Sequence, residues 1–144
     1  MADKRGTHDY VEDIRNSEIL IYINGKFYPR QDASISVFDS GFLLGDGVWE
    51  GIRFDNGKYL FLEQHLERLF WGASQIDMNI GKTIDEITSI LYETTKFNKM
   101  ESGVHVRLIV SRGVKSTPYQ APSFTVSDPT IVVIPEYKQP SPET

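Results

Sequence analysis

The residues of this chain best suited to chemistry are scattered, and most of them read individually as structure. His8, His65 and His105 lie far apart, and no His/Asp/Glu group has the spacing of a metal site. Asp55-Asn56-Gly57 lacks the further oxygen ligands and terminal glutamate of a calcium loop. Gly45-Asp46-Gly47 does not follow a strand with the spacing of a phosphate loop, and by itself it reads as a tight turn. With no cysteine there is no thiol chemistry, disulfide or iron–sulfur cluster. By periodicity alone Arg68 is a solvated arginine on the polar side of a helix, and Trp49 is a core tryptophan. His105 and Arg107 are two same-face residues of a strand, meeting solvent or a carboxylate.

These side chains need elements to hold them. Ile19 to Ile23, Asn24-Gly25 and Lys26 to Tyr28 predict a hairpin, because Asn-Gly supplies both left-handed residues of a type I′ turn, and Pro29 closes its second strand. A short extended stretch is expected over Ala33 to Phe38 and a glycine-punctuated turn over Gly41 to Gly47. A second hairpin follows, Val48 to Phe54 and Lys58 to Phe61 around Asp55-Asn56-Gly57. Leu62, Leu66, Leu69, Ala73 and Ile76 form one helical stripe. Thr83-Ile84-Asp85-Glu86 has the spacing of a capping box, opening a helix whose buried face is Ile84, Ile87, Ile90, Leu91 and Phe97. Val104 to Val110 and Thr130 to Ile134 are strands, separated by a loop with three prolines. Helices grouped between runs of strands predict an α+β fold, an antiparallel sheet with two helices packed on one face. Residues 1–17 read as a polar tail, 18–136 as one domain, and 137–144 as the start of a linker.

The 144 residues carry a net charge of −5, which argues against a nucleic-acid footprint. The N-terminus shows no secretory signal, and no apolar run approaches the roughly 20 residues of a membrane span. A cytoplasmic location is the expectation.

Taken together, three segments change the reading. Gly41-Phe42-Leu43-Leu44-Gly45-Asp46-Gly47-Val48-Trp49-Glu50-Gly51-Ile52-Arg53, then His65-Leu66-Glu67-Arg68-Leu69, then Arg107-Leu108-Ile109-Val110-Ser111-Arg112-Gly113 resemble, in order and spacing, the three signatures of the fold type IV (class IV) pyridoxal-phosphate aminotransferases. That family comprises branched-chain aminotransferases, D-amino-acid aminotransferases, aminodeoxychorismate lyases and amine transaminases. The resemblance implies that this is the small N-terminal domain of such an enzyme and that Arg68 binds the phosphate of pyridoxal 5′-phosphate. A guanidinium fork suits that task, since it matches a dianion bidentately and keeps its charge. It implies that Trp49 stands beside the substrate pocket, where the family carries Tyr or Phe. Arg53 completes a Glu-Gly-Ile-Arg string typical of the branched-chain group, at the pocket or a loop beside it. Arg107 matches an arginine that helps hold the substrate α-carboxylate. The branched-chain enzymes place tyrosine two residues before that arginine; this chain has His105, which alters the geometry and the pH response of the hydrogen bond. The D-amino-acid enzymes carry an arginine and a histidine in the following loop. Here the loop reads Ser116-Thr117-Pro118-Tyr119, which favours the branched-chain group.

The resemblance also implies a lysine that holds the cofactor and an acid facing its pyridine nitrogen, both in a C-terminal domain. None of Lys4, Lys26, Lys58, Lys82, Lys96, Lys99, Lys115 and Lys138 stands where the family puts that lysine. The expectation is therefore no catalytic residue in this chain, a lysine beyond Thr144, and no activity for these residues alone. The parent protein would be a homodimer moving an amino group from a branched-chain or otherwise apolar amino acid to a 2-oxo acid such as 2-oxoglutarate. The rivals are a D-amino-acid aminotransferase, an amine transaminase or an aminodeoxychorismate lyase of the same family, and a non-catalytic dimerisation or interaction module.

Overall fold

A computed structural model describes residues 12–139. Both Asn-Gly turns form as their residue types demand. Asn24 and Gly25 have φ of 49° and 93°, and Asn56 and Gly57 have 52° and 74°. The first joins β1 (Leu20–Ile23) to β2 (Lys26–Pro29); the second joins β3 (Gly47–Asp55) to β4, which is only Lys58–Tyr59. The remaining strands, β5 (Val104–Ser111) and β6 (Thr130–Tyr137), complete a six-stranded antiparallel sheet in the order β2-β1-β6-β5-β3-β4. The two hairpins are thus its edges, and the last strands of the chain are its middle.

Strand alternation gives the sheet two unlike faces. Ile52, Phe54, Val104, Val106, Leu108, Val110, Ile131 and Val133 are buried beneath two helices. The first helix, α2 (Leu62–Gln75), follows a short α1 (Ser40–Leu44) and buries Leu66, Leu69 and Ala73 of the expected stripe. The second, α3 (Ile84–Phe97), opens with the complete capping box: Thr83 Oγ1 accepts from the Glu86 N–H, and the Glu86 carboxylate accepts from the Thr83 N–H. Both helices pack on this one face, α2 against β3 and α3 against β1 and β6.

Several expectations need correction. Ala33 to Phe38 joins no strand. The glycine turn over Gly41 to Gly47 contains α1, capped by Asp39 and ended by Gly45 at φ 67°. Lys58 to Phe61 does not run back as a full strand: after Tyr59 the chain turns, with Phe61 at φ 55°, straight into α2. Ile84 and Phe97 are substantially exposed, and Thr94 and Thr95 take buried places on α3 instead. Phe97 still stacks on Phe27, with centroids 4.3 Å apart. The strand read as Thr130 to Ile134 continues to Tyr137, into the stretch read as linker. Pro135 is tolerated there because β1 reaches β6 only at Val132 and Val133, so no ladder needs its missing N–H. Residues 14–17, read as tail, belong to a 3-10 turn, Ile14–Glu18, whose buried Asn16 bonds both the N–H and the carbonyl of Tyr137. The rest of that tail up to residue 11 lies outside the described residues.

Candidate active site

The face of the sheet turned away from α2 and α3 collects four of the five expected site residues. Trp49, Gly51 and Arg53 alternate along β3, and His105 and Arg107 along β5, with Gly51 opposite Arg107 and Arg53 opposite His105. The Arg107 guanidinium carbon lies over the Trp49 ring, 4.2 Å from its centroid, in cation–π geometry. That contact orients a cation on an otherwise open face; Trp49 is 57% exposed and is not the core tryptophan its apolar surroundings allowed.

His105 occupies a notch that exists because residue 51 is glycine. A Cβ there would stand 2.7 Å from Nε2 and 3.1 Å from Cε1 of the imidazole. Burial, and after it the charges of Lys138, Arg53 and Arg107, push the His105 pKa below the ordinary histidine value, while Glu136 pulls the other way. The imidazole is therefore neutral at neutral pH, offering one N–H donor and one acceptor. Arg53 donates to the Lys138 carbonyl, so it ties β3 to the chain leaving β6. Glu136 is engaged by Arg30 at 3.1 Å.

Arg68 stands apart, on α2. Its strand partner is Glu50, which points to the helix-covered face between Trp49 and Gly51 and is 5% exposed. Glu50 accepts from Arg68 Nε at 2.9 Å and Nη2 at 2.7 Å, and its Oε1 lies 2.7 Å from His65 Nδ1. Burial would raise the Glu50 pKa; hydrogen bonds from Arg68, then His65, outweigh it and hold the carboxyl below the usual range. Phe61, Gln64, His65 and Arg68 line an open cavity of about 350 Å³. Here β3 is the sheet's edge, since β4 covers only Phe54 and Asp55.

Beside Arg107 the open face turns apolar. Arg107 pairs with Ile134, and Ile109 with Val132. Ile109, Val132 and Ile134, with Ile21, Ile35 and Phe42, line a groove of about 370 Å³. One wall is the segment before α1, which buried Asp39 fastens across the sheet by accepting from Ser111 Oγ at 2.9 Å and Thr130 Oγ1 at 2.6 Å. Arg112 clamps the far end of α1, its Nε 2.6 Å from Asp46.

The structure thus brings Trp49, Arg53, His105 and Arg107, each singled out from the sequence, onto one surface, whereas sequence reasoning passed over Glu50, Gly51 and Asp39 as working parts. Glu50 had a signal: a carboxylate in the register of Ile52 and Phe54 is a charge on the core face, and such charges are paired. Asp39 had none beyond its capping position.

Likenesses to known proteins bear on this arrangement. Residues 47–144 match the family described as amino-transferase class IV. The chain is 38% identical over 125 residues to branched-chain-amino-acid aminotransferase-like protein 2 of Arabidopsis thaliana, covering 87% of this chain and 22% of that protein. It is 30% identical over 120 residues to D-alanine aminotransferase of Staphylococcus haemolyticus, covering 83% of this chain and 42% of that one. Among solved structures, the T.th. branched-chain amino acid aminotransferase complexed with N-(5′-phosphopyridoxyl)-L-glutamate superposes with a TM-score of 0.68 at 25% identity, over 82% of this chain and 40% of that one. The chain therefore spans less than half the length of these proteins. By its signatures, its sheet and its likenesses, this chain belongs to the class IV aminotransferases.

Proposed function

We propose that this chain forms the phosphate-binding and carboxylate-binding part of a pyridoxal-phosphate aminotransferase acting on a branched-chain or otherwise apolar amino acid, with a 2-oxo acid as acceptor. A second domain would supply the catalytic lysine. The observation that carries the reading is Arg107, held on the Trp49 ring and paired across the sheet with Ile134, which lines an apolar groove. An amino acid seated there places its carboxylate on a cation that cannot lose its charge, and its side chain against Ile109, Val132 and Ile134. Neutral His105, two residues from Arg107 on the same face, can donate to that carboxylate or accept from the ammonium group without adding charge. Arg53 holds the border of this surface through Lys138 and need not touch substrate.

The residues also fit the cofactor. Arg68 spends Nε and one Nη2 hydrogen on Glu50, leaving the end-on edge of its fork for a phosphate, and its side chain is 68% exposed. When bound, pyridoxal phosphate supplies the electron sink for breaking the substrate Cα–H bond. A cytoplasmic homodimer belongs to the same reading.

Two experiments test it. The complete protein that carries these residues is assayed with leucine, D-alanine, 1-phenylethylamine and aminodeoxychorismate, using 2-oxoglutarate as acceptor. Preference for leucine is expected; preference for D-alanine or 1-phenylethylamine, or release of pyruvate from aminodeoxychorismate, selects the corresponding rival, and turnover of none of the four removes the enzyme reading. The 144-residue chain is then incubated with pyridoxal phosphate, reduced with borohydride and weighed. No stoichiometric adduct is expected, and one adduct confined to a single lysine overturns the need for a second domain.

A further inference from the structure

Glu50 does more than neutralise a neighbour. It is buried, it faces the helix side of β3, and it holds two side chains one turn apart on α2, His65 and Arg68. A carboxylate in this ionised state only accepts hydrogen bonds, so the proton of this contact belongs to His65 Nδ1, and Nε2 is the outward-facing nitrogen. In the same way Glu50 takes the side edge of the Arg68 fork, Nε and Nη2, and none of its bonds involves Nη1. Three of the five guanidinium N–H groups remain: the pair that forms the end-on edge, and the outer N–H of Nη1. The two held side chains line one cavity, with Phe61 and Gln64.

We propose that Glu50 is the positioning residue of the anion site on α2: it selects the end-on edge of Arg68 for a phosphate monoester entering the cavity beside Phe61. This rests on the reading of Arg68 as the phosphate anchor and adds what aims it. The buried carboxylate is the fixed member and the exposed arginine the one held. Without Glu50, Arg68 would sample the rotamers of an open helix face, and the phosphate would have to order it on binding.

The test compares pyridoxal 5′-phosphate with pyridoxal, binding to the full chain being followed by fluorescence. The ratio of the two affinities isolates the phosphate contribution and cancels any change in the folded fraction. The wild type is expected to prefer the phosphorylated compound, Arg68→Ala to lose that preference, and Glu50→Gln to lower it about tenfold, the loss of one charge-assisted hydrogen bond. A preference lost in Arg68→Ala but intact in Glu50→Gln overturns the positioning role alone. Equal affinity of the wild type for both compounds, or an unchanged ratio in Arg68→Ala, overturns the phosphate reading beneath it. A second measurement needs no variant: titration of the 15N-labelled wild type with inorganic phosphate. The Arg68 Nε–H signal is expected to stay while the Nη signals shift. Movement of Nε–H from Glu50 to the phosphate makes Glu50 a competitor and refutes the proposal.

Discussion

Replacing Gly51 by alanine probes the notch that seats His105. The new Cβ would start 2.7 Å from Nε2. Contacts between such atoms settle at about 3.5 Å, so the ring must retreat by roughly 0.8 Å. Alanine is better than glycine in a strand by about 0.5–1 kcal/mol, while overpacking costs about 1–3 kcal/mol. The net loss expected is about 1 kcal/mol, a fall in Tm of a few degrees. The larger effect falls on the imidazole. Burial is the first cause of its low pKa, so a ring driven out of the notch titrates closer to the ordinary value near 6.5. The sign follows from proton counting. A depressed histidine binds fewer protons folded than unfolded, so in the wild type stability rises with pH between the folded value and about 6.5, and Gly51→Ala flattens that rise. The assay is a 1H–13C titration of the histidine ring signals in both proteins, with His105→Gln to assign the signal. A His105 signal that keeps its shift and its midpoint in Gly51→Ala refutes the notch.

Thr83→Ala removes half of the capping box and is expected to cost about 1 kcal/mol in thermal unfolding, with Thr83→Ser restoring most of it. Asp39→Ala strands the Ser111 and Thr130 hydroxyls under the α1 segment, and a loss of about 3 kcal/mol in urea unfolding is expected; under about 1 kcal/mol would mean the segment is not fastened there. Arg107→Lys keeps the charge but loses the planar stack on Trp49, and in the complete enzyme KM for the amino acid should rise by about tenfold or more with kcat changing less. The depressed Glu50 carboxyl contributes stability that is fully present above the ordinary value near 4.3 and is lost as pH falls through its lower folded value. Acid unfolding of Glu50→Gln should lack that component.

Much of this molecule was legible in the sequence because it is local. Asn24-Gly25 and Asn56-Gly57 dictate their turns through left-handed backbone, and Thr83 and Glu86 cap a helix across three residues. Leu66, Leu69 and Ala73 mark a helical face by spacing alone. The alternation Trp49, Gly51, Arg53 and His105, Arg107 places those residues on shared faces once the strands are recognised. What tertiary structure decided was every pairing between distant segments. Nothing in β5 or β6 announces that they fill the middle of the sheet, or that β4 stops after two residues and leaves β3 an edge beside Arg68. Asp39 finds Ser111 and Thr130, 72 and 91 positions away, and Glu50 finds Arg68 and His65 across a helix–sheet interface. Turns, caps and stripes are set by backbone conformations and periods that neighbouring residues share; a buried carboxylate is set by whichever donors the packed fold brings to it, and that depends on the whole chain.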